Sequence, residues 1–100
     1  MAEIIFHHKC IEDNGDIVEI KMFKVPKSEK QPEGISYSMV YICNGIRAIG
    51  YDNFEGHSEK GSSHHKHTFG KTVPYAFFDE WKAVEDFYLD VEKARQRCLK

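Results

Sequence analysis

An α+β fold is predicted by three observations. Two turn signals, Asp13-Asn14-Gly15 and Asn44-Gly45, sit between apolar runs of strand length. Apolar and polar residues alternate through much of residues 3–52. From Phe77 to Cys98 the apolar spacing becomes helical. The expected architecture is a four- to five-stranded antiparallel meander with one long C-terminal helix packed across one face.

Glu3–Ile11 is the first expected strand, with Ile4, Phe6 and His8 on one face and Ile5, His7 and Lys9 on the other. Ile17–Val25 follows, with Val18, Ile20 and Met22 alternating against Glu19 and Lys21, and Pro26 ends it. Ser36–Cys43 and Ile46–Tyr51 flank Asn44-Gly45, a pair suited to the positive φ of a type I′ turn. That turn pairs Cys43 with Ile46, Tyr41 with Ala48, Met39 with Gly50 and Tyr37 with Asp52. Val40, Ile42, Arg47, Ile49 and Tyr51 then share the opposite face. The helix is expected on the Met39 face, because Ala48 and Gly50 allow close approach. The other face is expected to meet a second copy or a partner.

In the helix, Phe77, Trp81, Val84, Tyr88, Val91 and Cys98 recur at steps of three, four or seven, and Phe87 widens the stripe. Asp79 and Glu80 at its start and Arg95 and Arg97 near its end suit the helix dipole. Pro74 fits a helix start, and a fifth strand is allowed for near His64–Phe69.

A chain of 100 residues is expected to be one domain, 1–100. It divides into strands 3–52, a His/Gly/Ser loop 53–72 and the helix 77–98. The three cysteines, Cys10, Cys43 and Cys98, are scattered without a CxxC pair, so free thiols are expected. No apolar run approaches the ~20 residues that span a bilayer. No signal peptide is expected from Met1–Phe6, and a cytoplasmic location is. The net charge of -2 does not point to a nucleic-acid binder, although residues 60–71 and 93–100 are locally basic.

The chemistry-bearing segment runs from Tyr51-Asp52-Asn53 to His64-His65-Lys66-His67. His57, His64, His65 and His67 make up four of the six histidines. Histidine moves protons near neutral pH and also binds metals. If the segment is extended, His65 and His67 point to one side. With His57 or Asp52 they would form an open metal site, but the spacing is not that of a standard metal motif. The second possibility is metal-independent cleavage of an RNA phosphodiester, which needs a base to activate a 2′-hydroxyl, an acid and a positive charge. His65 and His67 would be acid and base, and Asp52 would orient a histidine. Lys60, Lys66 or Arg47 would carry charge, Asn53 would bind a base or phosphate, and Gly61 would let backbone amides approach an anion. The plain alternative is a polar surface loop whose histidines do nothing. Asp52-Asn53 would then only be a turn that stops the fourth strand.

The ordered set Tyr51-Asp52-Asn53, Lys60-Gly61, His65-Lys66-His67, Pro74-Tyr75-Ala76-Phe77, Asp86-Phe87 and Asp90-Val91 resembles the TumE-like toxins of prokaryotic toxin–antitoxin systems. The resemblance implies the toxin of a two-gene system, with an antitoxin partner that commonly carries a helix-turn-helix DNA-binding part. It places the family motif on Tyr51, Asp52, Asn53, Lys60, Gly61, His65, His67, Pro74 and Tyr75. The family pattern has a shorter loop and an acidic residue just before His-x-His, where this chain has Ser62, Ser63 and His64.

The expected function is therefore a type II toxin acting on RNA as a metal-independent ribonuclease. His65, His67, Asp52 and Lys60 would be catalytic, and Arg47, Tyr51, Asn53, Gly61 and Lys66 would bind substrate. The alternatives are a non-enzymatic protein-binding module and a metal-dependent hydrolase with the same histidines as ligands. No cofactor and no membrane are implied, and a homodimer is a further expectation.

Overall fold

Alternation and turn chemistry build a meander longer than expected. The computed structural model describes residues 3–29, 32–53 and 64–98. Its strands are β1 (Glu3–Ile11), β2 (Ile17–Lys24), β3 (Ile35–Cys43), β4 (Ile46–Asp52), β5 (His65–Thr68) and β6 (Lys71–Pro74), followed by helix α1 (Glu80–Cys98). The six strands form one antiparallel sheet in chain order. β5 is the fifth strand allowed for near His64–Phe69. β6 was not expected, and Pro74 is its last residue rather than a helix start. Proline is tolerated on such an edge strand.

The Asn44-Gly45 turn has both φ values positive, 53° and 75°. Cys43 pairs with Ile46 as expected. A bulge at Ala48 then shifts the rest of β4, so that Tyr41 faces Ile49, Met39 faces Tyr51 and Ser38 faces Asp52. One extra residue reverses which face each later side chain takes. Ile49 and Tyr51 turn into the core, at 2% and 1% exposure, instead of joining Val40 and Ile42. Gly50 and Asp52 turn to the opposite face.

The helix does lie on the Met39 face. Val18, Ile20, Met22, Met39 and Tyr41 pack with Ala83, Phe87, Val91 and Ala94. Of the expected stripe of α1, Phe87 and Val91 are buried, flanked by Ala83 and Ala94, whereas Trp81 and Tyr88 remain exposed. Helix formation begins three residues later than the aromatic spacing suggested. Asp79 accepts the Lys82 amide at 2.7 Å and caps the helix. At the other end, Arg95 forms a two-pronged ion pair with Glu12 in the β1–β2 connection, with 2.7 Å between Nη2 and Oε2. Cys43 and Cys98 are joined as a disulfide, contrary to the expectation of free thiols, and Cys10 is free. No described helix is long and apolar enough to cross a membrane.

Candidate active site

The short β5–β6 hairpin builds the site. Its turn, Phe69-Gly70, has φ values of 46° and 89°. That geometry suits a two-residue hairpin, although phenylalanine seldom adopts positive φ. The ring is held from outside by the Arg97 guanidinium, 3.9 Å from its centroid. The turn sets His67 opposite Thr72 in β6, and β4 sets Gly50 opposite His67 and Asp52 opposite His65.

Asp52, His65 and His67 therefore share the sheet face away from α1, because their neighbours Tyr51 and Lys66 reach the helix. His67 Nε2 lies 3.2 Å from Asp52 Oδ2, and His67 Nδ1 lies 2.9 Å from Thr72 Oγ1. A carboxylate only accepts hydrogen bonds, so the Nε2 proton faces Asp52. Nδ1 then accepts the Thr72 hydroxyl. The result is a carboxylate–imidazole–hydroxyl row across three strands.

Asp52, His65 and His67 are buried, at 6%, 4% and 5% exposure. They are not the surface histidines that a polar loop implies. Thr72 and Arg47 are exposed. Arg47 and His67 both border the open side of Gly50. A Cβ there would stand 3.4 Å from His67 Cδ2 and 3.5 Å from Arg47 Nε. The guanidinium and the imidazole thus flank one notch.

Other expected site residues go elsewhere. Tyr51 points under the helix and donates to Asp90 at 2.5 Å, and Lys66 donates to the same carboxylate oxygen at 3.1 Å. Burial, then the Asp90 carboxylate, pushes the Tyr51 hydroxyl well above the usual phenol range. Nearby, Tyr75 donates to Asp86 at 2.6 Å, which with Lys82 holds that carboxyl below its ordinary value. Asn53 is buried and holds backbone: its Nδ2 donates to the Ile35 carbonyl at 2.6 Å and its Oδ1 accepts the Tyr37 amide at 3.0 Å. Lys60, Gly61 and His57 lie outside the described residues. His64 is turned away from His65 and His67. It stacks on Phe77 at 4.3 Å, accepts the Tyr37 hydroxyl at 3.0 Å and donates to Glu33 at 2.8 Å.

The residue missed by sequence reasoning is Thr72. Its only signal was Gly70 between two four-residue stretches, which marks a hairpin once Phe69 is allowed positive φ. Among the described residues, no three His, Cys, Asp or Glu side chains gather as a metal site. A cavity of about 270 Å³ lies elsewhere, lined by Asn14, Asp16, Tyr41, Asn44, Arg95 and Cys98. Its Asp16 carboxylate is already paired with the Tyr41 hydroxyl at 2.7 Å, so the histidine row is the better candidate site.

The profile of the family described as Toxin TumE matches residues 2–95. The chain belongs to the TumE toxin family. Its role is that of a toxin, and the family implies an antitoxin as its partner. The matched span contains β1 to β6, the whole Asp52–His67–Thr72 row and most of α1. No curated protein and no solved structure matches the toxin.

Proposed function

We propose that this toxin is a cytoplasmic ribonuclease that cleaves RNA by acid–base chemistry without a metal, within a type II toxin–antitoxin system. The observation that carries the reading is the Asp52–His67–Thr72 row with Arg47 at its side. Asp52 orients the imidazole, as a buried carboxylate does for a catalytic histidine. His67 takes the proton from the attacking hydroxyl. Arg47 offsets charge that builds on the phosphate. His65, on the same face and paired with Asp52, is the acid for the leaving oxygen. Lys60 and Gly61, outside the described residues, supply further phosphate contacts in this reading.

The antitoxin, with a helix-turn-helix DNA-binding part, meets the exposed apolar arc of α1. Trp81, Tyr88 and Leu89 are 54%, 38% and 56% exposed there. This surface replaces the one expected from Val40, Ile42, Ile49 and Tyr51, since two of those four are core. A homodimer through the same arc is the competing assembly. Sedimentation with and without the antitoxin separates the two.

The test of the activity is cleavage of a defined RNA by purified toxin, with and without a chelator. Cleavage that survives the chelator, follows a bell-shaped pH profile and disappears in His67→Ala supports the reading. Unchanged cleavage by His65→Ala and His67→Ala would refute it and move the site's role to binding. Loss of activity with the chelator would favour the hydrolase alternative.

A further inference from the structure

The buried and exposed ends of the histidine row are different in kind. His67 is 5% exposed, whereas Thr72 is exposed at the sheet edge. Both ring nitrogens of His67 face protein groups, Asp52 at 3.2 Å and Thr72 at 2.9 Å. The base therefore meets the outside through the threonine hydroxyl. The roles match those of a serine-hydrolase triad, with the two ring nitrogens exchanged.

We propose that Thr72 Oγ1 is the attacking nucleophile of this site and that its electrophile is a phosphodiester phosphorus. The choice of phosphorus rests on the ribonuclease reading and on Arg47, whose guanidinium shares the Gly50 notch with His67. In the first step, Oγ1 forms a bond to phosphorus while its proton passes to His67 Nδ1. The bond from phosphorus to the leaving 5′-oxygen breaks, and that oxygen takes its proton from His65, the acid of the proposed reaction. In the second step, water forms a new bond to phosphorus, its proton goes to the His65 imidazole, and the Oγ1–phosphorus bond breaks. His67 then returns its proton to Oγ1. The net reaction is hydrolysis and needs no oxidant, reductant or metal.

The test treats the whole purified toxin with diisopropyl fluorophosphate and maps the adduct by peptide mass spectrometry. Attack by Oγ1 forms an oxygen–phosphorus bond and expels fluoride. The expected result is one adduct on Thr72, retained in Thr72→Ser and lost in Thr72→Val, His67→Ala and Asp52→Asn. RNA cleavage by Thr72→Val should fall by ~10²-fold or more, while its thermal unfolding stays close to the parent's. Absence of the adduct from the parent's Thr72 overturns the proposal. So does parental RNA cleavage by Thr72→Val, which leaves the ribonuclease reading in place. An adduct on Thr72 in a toxin that cuts no RNA keeps the nucleophile and removes RNA as the substrate.

Discussion

Two rows of carboxylate, imidazole and hydroxyl stand close together in this sequence, and only one has the makings of a catalytic site. Glu33–His64–Tyr37 has separations of 2.8 and 3.0 Å, and Asp52–His67–Thr72 has 3.2 and 2.9 Å. The first ends in Tyr37, which is fully buried and stacked near Phe77. Burial pushes the Tyr37 hydroxyl far above the usual phenol range, so it stays protonated and out of solvent. The second ends in an exposed threonine. The constellation of groups does not distinguish a structural clamp from a reactive site. The accessibility of the last oxygen does.

The largest expected effect separates the two histidines by function. His67→Ala should lower RNA cleavage by ~10²–10⁴-fold. Because His67 is buried against Asp52, it should also cost about 1–3 kcal/mol, more than a surface histidine would. His64→Ala should do the reverse. It removes a stacked ring and leaves Glu33 and Tyr37 unmatched, so about 2–3 kcal/mol of stability goes while the folded fraction stays active. Chemical denaturation alongside a cleavage assay measures both. Equal activity losses in the two variants would erase the distinction.

A smaller contrast tests the terminal hydroxyls. Tyr37→Phe removes the buried hydroxyl that hydrogen-bonds His64 and should cost about 1–2 kcal/mol. Thr72→Val alters an exposed edge position and should change stability by less than about 1 kcal/mol. The ratio is read from denaturation midpoints at constant slope.

The pH dependence of stability keeps folding apart from chemistry. Asp86 is held below its ordinary 3.8 by the Tyr75 hydroxyl and then Lys82. Glu12 is held below its ordinary 4.5 by its hydrogen bonds to Arg95. A lowered folded value means that the stabilisation is full above the unfolded value and is lost as pH falls through the folded one. The acid loss should therefore begin near pH 4.5 and deepen below it. Asp86→Asn should flatten that limb in a urea series run from pH 7 to 3. A change in cleavage above that window then reports the chemistry and not this acid loss of stability.

Much of the meander was legible because its turns carry their chemistry openly. Asn44-Gly45 and Asn14-Gly15 announced two hairpins, and Val18, Ile20 and Met22 announced the buried face of β2. The pairing of His65 with His67 on one side also followed from alternation. What stayed hidden depends on three-dimensional packing. Phe69 takes a positive φ that its side chain does not favour, held by contacts from α1 and from β4, whose Ala48 carbonyl accepts the Phe69 amide at 2.8 Å. So β6 and Thr72 were invisible. The Ala48 bulge has no composition of its own, yet it moves Asp52 to the histidine face and Tyr51 under the helix. Alanines 83 and 94 were overlooked beside louder aromatics, although small residues let a helix approach a sheet closely.

The smallest expected effect falls on Gly50, where the reactive row meets its cation. A methyl there would make ordinary contacts, 3.4 Å to His67 Cδ2 and 3.5 Å to Arg47 Cδ and Nε. Gly50 lies in a strand without positive φ, so alanine introduces no backbone strain. Stability in Gly50→Ala should change by no more than about 0.5 kcal/mol. The methyl nevertheless occupies the notch between imidazole and guanidinium. Cleavage should drop modestly, through weaker substrate binding more than through slower turnover, because the row itself is untouched. Steady-state kinetics would show a raised KM with kcat nearly kept. A collapse of kcat instead would mean that the Gly50 position controls the geometry of His67, and that Arg47 is a bystander to the row rather than its phosphate contact.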